Sequence, residues 1–166
     1  MNAQDYILQL NLHPHPEGGF YRQTYRCLES IPATALPQRF GADRPISTAI
    51  YYLLEQGDYS CFHRIKSDEC WHFYAGGSLD IHIIESNGEY HLVKLGNNIQ
   101  HGEIHQYVVA AMAWFAVEPS AKTLFTLAGC TVAPGFDFDD FEMAGKKALV
   151  KIFPQHRPII ERLCRE

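Results

Sequence analysis

The sequence lacks three features: a long apolar run, a Cys-x-x-Cys pair and an excess of basic residues. A membrane-spanning helix needs about 20 apolar residues in succession, and the N-terminus lacks the basic start and apolar core of a secretory signal. The five cysteines are an odd number at scattered positions, which argues against a disulfide framework or a zinc cluster. A formal net charge of −5 gives no sign of a nucleic-acid-binding surface. These absences predict a reduced, cytoplasmic protein with neither a membrane nor a nucleic-acid partner.

The sequence is instead rich in aromatic residues and in short segments of strand character. It has ten phenylalanines, nine tyrosines and two tryptophans among 166 residues, a length that suits one domain with a single core. We therefore predict one domain over residues 1–166. Short strands separated by turns roughly every 8–12 residues are typical of an antiparallel barrel or jelly roll. A short helix at 3–12 and C-terminal helices at 142–152 and 155–164 complete the predicted all-β fold.

One stretch, residues 57–76, concentrates the residues that carry chemistry. Side chains alternate between the two faces of a strand. Two strands joined at the polar break 66–68 would therefore place on one face the side chains of Cys61, His63, Ile65, Glu69, Trp71 and Phe73. We predict that His63 and Glu69 converge in one cavity with aromatic walls. Such a pair is costly to bury unless its members bond to each other or to a ligand. The pair thus indicates a functional site, and the alternative is a satisfied polar pair in the core.

The same stretch resembles the first motif of the cupin superfamily, G(X)5HXH(X)3–4E(X)6G. Gly57, His63, Glu69 and Gly76 fall in step with it, and Ile65 stands at the second histidine. The chain also resembles one small cupin family of unassigned function, in the segments 14–26, 47–54, 62–74 and 129–142. This resemblance implies a cupin-type double-stranded β-helix, that is, a jelly-roll barrel, but it implies no activity.

The resemblance also bears on metal binding. Cupins that hold a metal usually do so with three histidines and a glutamate, but here Ile65 replaces the second histidine and Phe115 stands at the position of the third. His63 and Glu69 alone are too few for a divalent first-row metal, which takes three or four protein ligands. We predict no metal cofactor, and the alternative is a divalent metal at His63 and Glu69.

Candidate catalytic residues follow from a second resemblance within the superfamily. Cupin deoxysugar epimerases lack a metal and use a histidine base with a tyrosine acid inside the barrel. By that resemblance His63 is the expected base and Tyr51 or Tyr21 its partner, so the expected catalytic set is His63, Glu69 and Tyr51. Arg22 is either a clamp for a carboxylate or phosphate or a surface ion pair. The expected ligand-contacting residues are Tyr21, Arg22, Trp71, Phe73, Gln106 and Phe115.

Three functions remain open at this point. The first is a metal-independent isomerase or epimerase that acts on a small polar molecule, sugar-like or anionic. The second is a protein that binds a small molecule without converting it, and the third is a metal-dependent oxygenase or isomerase. The proline-rich loop at 29–45 suits a subunit contact, so we predict a homodimer, which light scattering would detect. His13 and His15, in a proline-rich turn, are expected to serve loop or subunit contacts.

Overall fold

Strands form where β-branched and aromatic residues alternate with polar ones, and glycine or proline residues end them. The structure is a computed structural model that describes residues 1–165. Its strands are β1 His13–Pro14, β2 Phe20–Arg26, β3 Ser30–Ile31, β4 Arg44–Pro45, β5 Thr48–Glu55, β6 Ser60–Ile65, β7 Asp68–Gly76, β8 Leu79–Ile84, β9 Tyr90–Leu95, β10 Gln106–Val109, β11 Trp114–Pro119, β12 Phe125–Ala133 and β13 Phe141–Met143. Its α-helices are α1 Ala3–Gln9, α2 Lys146–Ile152 and α3 Arg157–Leu163.

Two antiparallel sheets make up the body of the fold. The larger has the strand order β1-β2-β5-β12-β7-β10, and the smaller has the order β13-β6-β11-β8-β9. Strand β12 pairs with both β5 and β7, so strands far apart in sequence are neighbours in space, as in a jelly roll. The predicted all-β jelly roll with a short N-terminal helix and C-terminal helices is confirmed.

The space between the sheets is filled by side chains that alternate along each strand. Leu79, Ile81 and Ile83 of β8 are almost fully buried there, against Phe115 and Val117 of β11. Burial of each such side chain contributes about 1.5–3 kcal/mol. This inner core forms the floor on which the cavity described below is built, because Tyr52, Trp71 and Cys130 belong to both.

Helices cover the outer faces of the two sheets. Helices α2 and α3 pack on the smaller sheet, where Leu149 and Ile160 contact the cluster that contains Phe62 and Trp114. Helix α1 packs on the larger sheet and begins with a capping box, in which Asn2 and Asp5 each bond the other's backbone N–H. The helices therefore bury outward-facing residues and leave the inner faces to form the site.

Two parts of the chain differ from the sequence-based prediction. Residues 141–143 form strand β13, which pairs with β6, whereas the pattern predicted a helix from 142. The predicted loop at 29–45 contains the short ribbon of β3 and β4. In both places the partner strand is distant in sequence, so local periodicity carried no signal for it.

Within residues 1–165, no helix combines the length and the apolar character that crossing a bilayer requires.

Candidate active site

A cavity of about 260 Å³ lies against the inner face of the larger sheet. Its walls come from β2, β5, β6, β7 and β12 and from the loops at 15–17 and 136–138. Polar groups are supplied by His15, Glu17, Gln23, Thr48, His63, Glu69 and Cys130. Apolar and aromatic groups are supplied by Tyr21, Ile50, Tyr52, Ile65, Trp71, Val132, Phe136 and Phe138. The structure thus brings His63 and Glu69 into one cavity, together with Tyr21, Trp71 and Ile65.

The tight turn between β1 and β2 carries a carboxylate that the sequence analysis did not select, Glu17. Gly18 and Gly19 have φ values of 123° and 68°, which L side chains rarely adopt, and a Cβ on either would meet backbone. This turn directs Glu17 inward, where it is only 7% exposed. The Ser60 hydroxyl donates to Glu17 Oε2 at 2.6 Å.

His63 of β6 faces the Glu17 carboxylate. Its Nδ1–H donates to the Cys61 carbonyl at 2.7 Å, because a carbonyl oxygen can only accept. Nε2 therefore points away from the backbone and lies 3.6 Å from Glu17 Oε2. The His63 ring packs on Phe115 with the ring centroids 4.1 Å apart. His63 is thus fixed in one orientation with Nε2 directed at a carboxylate.

A bulge in the pairing of β6 with β11 sets which residues of β6 face the cavity. The register shifts between Phe115, opposite His63, and Val117, opposite Ser60. As a result Ser60 reaches Glu17, and Cys61, which simple alternation put beside His63, does not line the cavity. Cys61 contributes only its backbone carbonyl.

Glu69 of β7 is a second buried carboxyl in the same cavity. Burial, assisted by the Glu17 charge and opposed by the hydrogen bond with the Cys130 thiol, raises its pKa to about 8. Glu69 is therefore a protonated acid at neutral pH. A carboxyl whose pKa is raised in this way is suited to act as a general acid.

His15 lies on the other side of Glu17, where it is part of the cavity wall and makes the loop contacts that were one of its two expected roles. Its Nδ1 accepts the backbone N–H of Glu17 at 3.2 Å. Burial lowers the pKa of His15, against the opposing effect of Glu17. The His15 ring stands edge-on to Tyr21 and Tyr52, with centroids 4.4 and 5.5 Å apart.

Aromatic residues form the remaining walls. The Tyr52 hydroxyl donates to the Gly18 carbonyl at 2.6 Å and so ties β5 to the Glu17 turn. The Trp71 indole is 2% exposed, and within the described residues its Nε1–H has no hydrogen-bond partner. An unpaired buried donor is costly, and the indole that carries it is part of the cavity wall.

The segment at 136–138 frames the mouth of the cavity. Phe138 is 57% exposed although it lines the cavity, and the backbone N–H of Phe136 donates to Thr48 Oγ1 at 2.9 Å. Asp140 anchors the segment through a buried bidentate ion pair with Arg44. These contacts hold two phenylalanine rings at the entrance.

Two predicted site residues, Tyr51 and Arg22, lie on the opposite face of the larger sheet, which corrects their expected placement. The Tyr51 ring stands edge-on to Tyr74 at 5.8 Å, and the Arg22 guanidinium lies over the Tyr51 ring at 5.9 Å. Tyr52, next in sequence, faces the cavity instead. The residue pattern 51–54 is apolar on both faces, so it could not decide which tyrosine points inward.

The three other predicted contacts also lie outside the cavity lining. Phe115 is buried behind His63 and Trp71, and Phe73 packs against the inner core. Gln106 is on the outer face, where its amide donates to Cys70 Sγ at 3.1 Å. The residues that sequence reasoning missed, among them Glu17, Tyr52 and Phe136, fall in the segments 14–26, 47–54 and 129–142 that carried the family resemblance.

The side chains do not fit the metal set of cupins. Ile65 and Phe115 stand at two of the four ligand positions, and across residues 1–165 no group of three or more His, Cys, Asp or Glu side chains is arranged to hold a metal ion. Nε2 of His63 faces a carboxylate that already accepts a hydrogen bond from Ser60.

The facing antiparallel sheets, with a cavity set against the inner face of one of them, define a cupin. The chain belongs to the family described as "Cupin superfamily (DUF985)", whose model matches residues 4–144. That family carries no assigned activity. Comparison with curated protein sequences gives no match.

Solved structures agree with this membership. A hypothetical protein from Leishmania major superposes with a TM-score of 0.93 at 31% identity, over 100% of both chains. A protein from Shewanella oneidensis superposes with a TM-score of 0.89 at 39% identity, over 99% of this chain and 98% of its own. Oxalate decarboxylase from Bacillus subtilis gives a TM-score of 0.56 at 14% identity, over 93% of this chain and 37% of the decarboxylase. The likeness to the decarboxylase is one of fold alone.

Proposed function

We propose that this cupin is a metal-independent enzyme of the isomerase or epimerase type, which moves a proton at a carbon atom of a small polar molecule. The observation that carries the proposal is the presence of the His63 imidazole and the Glu69 carboxyl in one cavity, where both are buried. Glu69 holds its proton at neutral pH because it is buried beside Glu17, and His63 presents Nε2 to the same space. One group is thus suited to donate a proton and the other to accept one.

The base in this proposal is His63 Nε2, which takes a proton from a hydroxyl-bearing carbon next to a substrate carbonyl. The carboxylate of Glu17, 3.6 Å away, stabilises the imidazolium that forms. At the same time the Glu69 O–H donates to the carbonyl oxygen, so an enediol results. Return of the proton to the other face, or to the neighbouring carbon, gives the epimer or isomer with no net redox change.

Glu69 takes the role that the epimerase resemblance gave to a tyrosine. Tyr51 lies outside the cavity. Tyr52 lines it, but its hydroxyl already donates to the Gly18 carbonyl, and burial raises the pKa of Tyr52 well above its ordinary value. Tyr21 lines the cavity and is the second candidate for the acid.

The experiment is incubation of the protein in heavy water with a metabolite extract, followed by mass spectrometry. We expect one metabolite to gain a single deuterium with the wild type, and not with His63→Ala or Glu69→Gln. Tyr51→Phe, outside the cavity, is the matched control and should act as the wild type does. Deuterium incorporation that survives both cavity substitutions would contradict the proposal.

A non-catalytic binding protein is the second candidate, and the unpaired Trp71 Nε1–H favours it because a bound acceptor would satisfy that donor. A metabolite that co-purifies with the wild type, is lost on Trp71→Ala and never gains deuterium would support this candidate. A metal-dependent cupin would instead bind a divalent ion stoichiometrically, which calorimetric titration with Mn²⁺ or Zn²⁺ tests.

A further inference from the structure

The charges that line the cavity indicate which class of small molecule it accepts, an inference that rests on the proposed function. We propose that the cavity binds a small organic cation, an ammonium compound that also carries an oxygen atom. Such a compound complements three features of the lining: its carboxyl groups, its aromatic rings and one unpaired donor.

Both fixed acidic groups of the cavity, Glu17 and Glu69, are buried, and among residues 1–165 no lysine or arginine lines it. The one predicted anion clamp, Arg22, lies over Tyr51 on the opposite face of the sheet. An anionic ligand would thus meet a carboxylate with no guanidinium or ammonium beside it. A cation would gain a counterion in a site of low dielectric constant, where that attraction is strong.

The Glu17 carboxylate is only partly engaged within the protein. Ser60 donates to Oε2, and the nearest histidine nitrogens lie 3.6 Å and 3.9 Å from that same oxygen. No donor from the described part of the chain reaches Oε1 within hydrogen-bond distance. One oxygen of a buried carboxylate therefore remains free to face a positive group.

Aromatic rings surround the same space, contributed by Tyr21, Tyr52, Trp71, Phe136 and Phe138. The face of an aromatic ring attracts a cation, and sets of such rings form the cages that recognise quaternary ammonium groups. A neutral ligand of the same shape would gain the apolar contact but not this attraction.

The Trp71 Nε1–H supplies the third feature. It is buried in the wall and unpaired within residues 1–165, so an oxygen atom of the ligand would satisfy it.

Three probes of matched shape test the inference: choline, its neutral isostere 3,3-dimethylbutan-1-ol, and the anion 3,3-dimethylbutanoate. Binding of each to the wild-type protein is measured by isothermal titration calorimetry. We expect choline to bind at least about tenfold more tightly than the isostere, since a desolvated cation–π contact and a counterion act only on the charged probe. Equal affinities, a preference for the anion, or no binding of choline would overturn the inference.

Glu17→Gln should reduce the preference for choline over the isostere towards unity. The matched control is Glu29→Gln, which removes an exposed carboxylate from the loop after β2 and should leave the preference unchanged. A preference that persists in Glu17→Gln, or that is lost equally in the control, would count against a cavity site.

This test can fail separately from the test of the proposed function. A clear preference for choline without deuterium incorporation would leave the ligand class standing and remove the catalytic role. Deuterium incorporation into a neutral or anionic metabolite, with no preference for choline, would remove only the ligand class.

Discussion

Two buried histidine–glutamate sets in this chain differ in how completely their polar atoms are bonded. Beneath helix α3, Tyr90 Oη lies 2.7 Å from His82 Nδ1, and Glu118 Oε1 lies 3.0 Å from His82 Nε2. Arg162 of α3 donates to the other oxygen of Glu118. We refer to these four residues as the His82 network. Both ring nitrogens of His82 and both oxygens of Glu118 have a partner, and the carboxylate has Arg162 as its counterion.

The second set, which consists of His63, Glu17 and Glu69 in the cavity, is less completely bonded. Nε2 of His63 is beyond hydrogen-bond distance from Glu17, and burial, with the Glu17 charge, raises the pKa of Glu69 to about 8. The comparison indicates that a buried histidine–glutamate pair is a candidate ligand site only where its polar atoms lack hydrogen-bond partners within the protein. The satisfied His82 network instead pins a helix to a sheet.

The largest expected effect comes from Glu69→Gln, through the pH dependence of stability. Folded Glu69 binds its proton up to about pH 8, whereas the ordinary pKa of the group is 4.5. Between these values the folded state holds more protons than the unfolded one, so wild-type stability falls as the pH rises. Relative to the wild type, the free energy of unfolding of Glu69→Gln should rise by on the order of a few kcal/mol across this pH range. Urea denaturation at a series of pH values measures the gain.

Infrared spectroscopy provides an independent check on Glu69. A C=O band of a protonated carboxyl should persist at neutral pH, fade near pH 8 and be missing from Glu69→Gln. Stability curves of variant and wild type that run parallel from acid to alkaline pH would mean that folding leaves the pKa of Glu69 at its ordinary value.

Glu118→Gln is expected to have a smaller effect of the opposite sign. Burial alone would raise the pKa of Glu118, but the contacts with Arg162 and His82 outweigh it and lower that pKa below its ordinary value. At neutral pH the free energy of unfolding of the wild type should therefore exceed that of the variant by about 1 kcal/mol. The difference is small because Glu118 and Arg162 are partly exposed. This advantage should disappear as the pH falls through the acid range of the carboxyl. Thermal denaturation at neutral and acid pH checks it, and a loss that is constant with pH would contradict the charge argument.

The smallest effects separate the two faces of β5. Tyr52→Phe removes the bond to the Gly18 carbonyl and should cost about 1 kcal/mol. Tyr51→Phe removes a hydroxyl without a partner among residues 1–165 and should stay within about 0.5 kcal/mol of the wild type. Chemical denaturation compares the two variants. A larger loss for Tyr51→Phe would mean that the faces of β5 are exchanged.

Local alternation was enough to predict much of the site. His63, Ile65, Glu69 and Trp71 line one cavity because side chains on a strand alternate whatever lies beyond it. Strand β2 was predicted with the bounds that the structure has, since polar and aromatic residues alternate through it. The number and spacing of the strands predicted an all-β sandwich or barrel, and the resemblance to cupins implied the jelly roll.

Contacts between distant segments decided the rest. Glu17 reaches His63 across 46 residues only because a glycine turn folds it inward, and no periodicity encodes that approach. The pairing of the strands and its register decide three further features. These are the inward placement of Tyr52 rather than Tyr51, the bulge that brings Ser60 rather than Cys61 to Glu17, and the strand at 141–143. The sequence by itself determined which side chains share a strand face. The tertiary structure alone decided which faces meet, because register is set by partners that lie far away along the chain.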